Sequence, residues 1–152
     1  MSKPIPDGYH TVTPSFTFKN SQKAIEFYKK AFGATEVMRF DDPRSGKIGH
    51  AEIKIGDSPI MLADEAPEVG ARSPRTIGGS PVSILLYVDD VDSTFTKAVN
   101  GGAKVQRPVA DQFYGDRTGG VEDPFGHLWY IATHVEDVSP EEMKKRAAAA
   151  GY

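Results

Sequence analysis

The feature that most constrains this chain is an order of elements that occurs twice, about 70 residues apart. Residues 12–19 alternate as a strand, with Thr13, Ser15 and Thr17 on one face and Pro14, Phe16 and Phe18 on the other. A helix follows. Asn20 or Ser21 can cap it, and Ala24, Phe27, Tyr28, Ala31 and Phe32 then fall on one apolar stripe. Gly33 ends it, since glycine takes the left-handed cap conformation without steric cost. Strands are expected near 36–40, 49–55 and 59–63, with Gly56-Asp57 as a tight turn.

The second half repeats this order. It reads as a strand at 82–88, a helix at 90–100 with Val91, Phe95, Ala98 and Val99 on one face, and strands near 104–108, 119–122 and 128–132. The phrase helix, Gly-Ala, strand occurs at Gly33-Ala34 and again at Gly102-Ala103. The pattern predicts an α+β fold of two βαβββ modules. Module one spans about 12–64 and module two about 82–134, inside a single domain at 12–138. Residues 1–11 are an N-terminal extension, 64–81 a polar Gly- and Pro-rich link, and 139–152 a C-terminal helix. Ser139, Pro140 and Glu142 form its N-cap, first position and capping box.

Composition narrows the function classes. The net charge is -3 and Lys and Arg are scattered, so no basic stripe offers itself to nucleic acid. No apolar run approaches the ~18 residues of a membrane span, and the polar N-terminus lacks a secretory h-region. Cysteine is absent, which removes disulfides, thiolate metal sites and cysteine nucleophiles, and is compatible with a reducing cytoplasm. No glycine-rich phosphate loop, dinucleotide turn or Gly-x-Ser-x-Gly elbow occurs.

Three motifs carry a resemblance. Ala24-Ile25-Glu26-Phe27-Tyr28 through Phe32-Gly33-Ala34, then Val88-Asp89-Asp90-Val91-Asp92, then Asp123-Pro124-Phe125-Gly126-His127-Leu128-Trp129 resemble the vicinal-oxygen-chelate superfamily. That superfamily holds glyoxalases, bleomycin-resistance proteins and extradiol dioxygenases, and the details are most similar to its PhnB-like branch. The resemblance implies a cupped mixed sheet, a homodimer and, in glyoxalase-type members, four inward-facing His, Glu or Gln side chains on a divalent metal. Counted from the motifs, those places fall at Thr13, at or next to Met61, at Ser83 and at Tyr130. Zinc prefers imidazole and carboxylate, and hard cations want several carboxylate oxygens. The four residues supply neither, so neither metal nor other cofactor is expected.

Candidate functional residues follow from the same strands. Thr13, Ser15, Met61, Ser83, Leu85 and Tyr130 are expected to line the cup, a mostly apolar wall with a few hydrogen-bonding groups suited to a small molecule. His50 and Glu52 share a strand face opposite Ala51 and Ile53. They read either as a catalytic pair, with a base or a replacement metal site, or as a polar pair on a half-exposed sheet. Gln112, Tyr114 and Arg117 read either as ligand-binding groups on a dense connection or as part of a turn in which Asp116 and Arg117 pair. His127 and His134 read as structural. Two functions compete: a metal-independent small-molecule binder in a cytoplasmic dimer, and a glyoxalase-type lyase or isomerase built on His50 and Glu52.

Overall fold

The structure, a computed structural model, describes all 152 residues and divides into two compact units, Met1–Ser80 and Pro81–Tyr152. The first holds β1 (Ser15–Phe18), α1 (Ser21–Phe32), β2 (Thr35–Asp41), β3 (Ile48–Ile55), β4 (Ser58–Asp64) and a short α2 (Pro74–Ile77). The second holds β5 (Ser83–Tyr87), α3 (Val91–Asn100), β6 (Lys104–Asp111), β7 (Asp116–Glu122), β8 (Leu128–His134) and α4 (Pro140–Ala149).

Each unit forms one four-stranded mixed sheet, and the two strand orders correspond: β1-β4-β3-β2 in the first, β5-β8-β7-β6 in the second. The first strand of each module runs parallel to the fourth, and the remaining pairs are antiparallel. Two βαβββ units in an α+β chain with a C-terminal helix are therefore present.

Local chemistry explains the helices. Asn20 accepts a hydrogen bond from the Lys23 N–H at 3.1 Å, and Gly33 closes α1 at φ 69°. Asp90 caps α3 through the Ser93 N–H at 3.1 Å. The first free N–H of α1 and of α3 is met from the sheet. Asp64, at the end of β4, accepts from Ser21 at 2.6 Å, and Thr133, near the end of β8, accepts from Val91 at 2.9 Å.

One face of each sheet packs on its helix. In the first module Phe16, Phe18, Ala51, Ile53, Ile60 and Leu62 are buried. Phe18 meets Tyr28 edge-on at 6.0 Å between ring centroids. Each Phe, Ile or Leu among them, fully buried, contributes roughly 1.5–3 kcal/mol of hydrophobic stabilisation. In the second module Val121, Trp129 and Ile131 are buried on the side of α3. The turn before β8 is built on Asp123, which is 1% exposed. Its carboxylate accepts from the Phe125 and His127 N–H groups at 2.9 and 3.0 Å and from Trp129 Nε1 at 3.0 Å.

Four sequence expectations need correction. The first strand is shorter than 12–19, so Thr13 stands before it rather than in it. The strand expected at 104–108 continues through Pro108 to Asp111, and its partner begins at Asp116 rather than Gly119. Register shifts along β6 accommodate the proline. The 64–81 link carries a 3₁₀ turn at Pro67–Val69 and α2, capped by Ser73. Finally, Ser139 does cap α4 through the Glu142 N–H at 3.2 Å, but the Glu142 carboxylate turns to Arg146 instead of completing a capping box.

Candidate functional site

The sheet face turned away from α1 presents a cross-strand row. By register Ser15 lies beside Met61, Met61 beside Glu52, and Glu52 beside Met38. His50 stands two residues along β3 on the same face, because successive side chains alternate. Glu52 is only 6% exposed, unusual for a lone carboxylate. It is satisfied by two donors. The Tyr9 hydroxyl donates to Oε2, and His50 Nε2 lies 3.1 Å from Oε1. The Tyr9 hydrogen bond, then that of His50, hold the Glu52 carboxyl below the usual carboxylate range. The same carboxylate pushes the Tyr9 phenol up. An ionised carboxylate joined to a phenol and an imidazole can accept, hold or pass a proton.

Thr13 lies at the entrance to β1 and donates its hydroxyl to the His10 carbonyl at 3.3 Å. Tyr9 was not legible as a site residue: it lies in the extension, 43 positions from the carboxylate it meets.

In the second module the corresponding face carries Ser83 beside Leu128, Leu85 beside Tyr130, and Gly120 on the other side of Tyr130. A cavity of about 370 Å³ opens here, with Ser83, Gln106, Arg107, Trp129 and Tyr130 among its lining residues. Gly120 shapes it. A Cβ there would stand 3.1 Å from the Tyr130 ring, so the missing side chain lets the ring lie across β7. The Arg107 guanidinium sits over that ring, 6.0 Å from its centroid.

Gln112, Tyr114 and Arg117 are not gathered at this cavity. Gln112 donates its side-chain amide to the Ala110 carbonyl at 3.3 Å. Tyr114 is partly exposed beside Phe113. Arg117 forks onto Asp92 of α3 with two 2.9 Å bonds and reaches Asp111 at 3.2 Å, all on the helix side of β7. Asp116 does not pair with Arg117. Its carboxylate accepts from the Tyr87 hydroxyl at 2.7 Å and lies 2.7 Å from His134 Nδ1, while His134 Nε2 lies 2.7 Å from Asp137. Asp116, then Asp137, push the His134 imidazole above its ordinary value.

A sequence model of the Glyoxalase/Bleomycin resistance protein/Dioxygenase superfamily matches residues 10–131. The chain belongs to this superfamily. Among its relatives is an uncharacterised protein of Mycobacterium bovis, 40% identical over 143 residues, covering 92% of this chain and 93% of that one. Solved structures of the same fold include TioX from Micromonospora sp. ML1, with TM-score 0.63, 22% identity and coverage of 86% of this chain and 100% of that one. The PhnB protein of Bacillus cereus gives TM-score 0.65, 16% identity and coverage of 82% and 99%.

The metal that glyoxalase-type members of the superfamily hold can be tested on donor chemistry. The places implied for its ligands carry Thr13, Met61, Ser83 and Tyr130: two hydroxyls, a thioether and a phenol. None is a strong ligand for zinc or a hard divalent cation. His50 and Glu52 make a pair, but no group of three or more His, Cys, Asp or Glu side chains is placed to hold an ion. The residues present do not fit the metal.

Proposed function

We propose that this superfamily member binds a small organic molecule on the sheet face turned away from the helix, without a metal, as a cytoplasmic homodimer. One observation carries the reading: the cavity of about 370 Å³ beside Ser83 and Tyr130. Its volume falls within the range of ligand pockets, and its wall mixes aromatic and aliphatic surface with a few polar groups. Neither nucleic acid nor membrane is a proposed partner; no helix is long and apolar enough to cross a bilayer.

Thermal shift against a panel of metabolites and antibiotics, on metal-stripped protein, tests this. A ligand present at a hundredfold excess over its Kd stabilises by about 2.7 kcal/mol and raises the melting temperature. No shift across a broad panel would overturn the reading.

The Glu52 cluster favours a second one. A buried ionised carboxylate bonded to His50 and Tyr9 is a reasonable acid–base group for a lyase or isomerase. Turnover separates the two: conversion of a carbonyl-bearing substrate by metal-stripped protein, lost in Glu52→Gln, would promote catalysis over binding.

A further inference from the structure

We infer that the second-module cavity recognises an organic anion, whose charged head docks on Arg107 while its body lies against Tyr130 and Leu128. The inference rests on the small-molecule reading above and adds the ligand's chemical class.

The second unit, Pro81–Tyr152, contains three arginines. Arg117 is taken by Asp92 and Asp111, and Arg146 by Glu136 and Glu142. Arg107 differs. Its contact is the Tyr130 ring, whose centroid lies 6.0 Å from the guanidinium carbon, and a cation held over a ring keeps its N–H donors for oxygen acceptors. No carboxylate is among the residues that line the cavity, and Arg107 is the one charged side chain of its wall. Ser83, Gln106 and Tyr130 line the same cavity. All can donate to oxygen.

The geometry suits a planar or tetrahedral oxyanion, because the arginine fork matches both carboxylate and phosphonate with two parallel bonds. The apolar floor strengthens such a pair by lowering the local dielectric. Gly120 contributes by absence: the ring lies across the strand, where the guanidinium can cover it, since no Cβ lifts it away.

NMR titration of the full chain with benzoate, phenylphosphonate and the neutral benzamide tests this. The expected result is that the two anions shift the Gly120 and Tyr130 amides, and benzamide binds at least about tenfold more weakly. Arg107→Gln should reduce both anions to the benzamide level. Arg107→Lys should retain only part of the affinity, since an ammonium cannot form the fork. Arg107 is exposed, so both variants should keep the wild-type melting temperature. The tighter of the two anions identifies the head group. Equal binding of benzamide and benzoate at the cavity, or benzoate affinity unchanged in Arg107→Gln, would overturn the anion assignment while leaving small-molecule binding intact. Silence from all three probes at millimolar concentration would also overturn it, and the broad panel then judges the wider reading separately.

Discussion

Gly119 lies beneath the ring of Phe95: a Cβ built on the glycine would stand 2.7 Å from Cε2 and 2.8 Å from both Cδ2 and Val109 Cγ2. The helix α3 thus rests on bare backbone, with a ring and a valine closing over it. Gly119→Ala should overpack this contact and cost about 1–3 kcal/mol of stability. Urea denaturation measures it, and an unchanged midpoint would mean the helix shifts freely over β7.

Asp123 organises the turn into β8 by itself. Asp123→Ala leaves two backbone N–H groups and the Trp129 indole N–H without their acceptor in a buried place. A loss of roughly 2–4 kcal/mol is expected, together with altered Trp129 fluorescence, as this is the chain's lone tryptophan. Wild-type emission and stability would show that water replaces the carboxylate.

The Glu52 cluster makes stability depend on acid. A carboxyl held below its unfolded value of ~4.3 stabilises the fold above that value, and the contribution is lost as pH falls through the lower, folded value. Tyr9→Phe removes the larger of the causes that depress it. The variant should be less stable than wild type at neutral pH and should start to unfold at a higher pH on acidification. The gap should close once the carboxyl is protonated in both. A gap that persists into strong acid would place the effect in packing rather than in charge.

His134 should behave with the opposite sign. Its imidazole is held above the ordinary ~6.5 by Asp116 and then Asp137, so its contribution is complete below the unfolded value and fades as pH rises through the folded one. Titration of the ring signals by NMR should give a midpoint above 6.5. Asp116→Asn should bring it down. A midpoint at or below the free value would show that the two carboxylates do not hold the ring in solution.

The helices and the doubled order of strands were legible because their signals are local. Asn20, Asp90 and Ser139 cap within three residues, and the buried stripe of α1 follows one period. The same signal stands before α2, where Ser73-Pro74 repeats the Ser-Pro pair of Ser139-Pro140, yet a run of Gly and Pro around it reads as a loop. The extent of β6 was hidden by Pro108, which removes a ladder donor and normally argues against a strand interior. At the candidate site, alternation put His50 and Glu52 together on one face. It had no means to bring in Tyr9, whose contact is long-range, or to single out Arg107, whose distinction is the lack of a carboxylate around it.

The paired anchors at Asp64 and Thr133 show how the two halves can differ in residue and keep the same contact. In one half a carboxylate gathers two stretches of main chain, at Ser21 and Ile48. In the other a hydroxyl accepts from the Val91 N–H and donates a hydrogen bond to the Val88 carbonyl at 2.8 Å. What the duplication preserved is the position of an oxygen, not the residue that carries it. An internal comparison letter by letter scores this place as a mismatch, whereas the acceptor oxygen at the start of each helix is common to both copies.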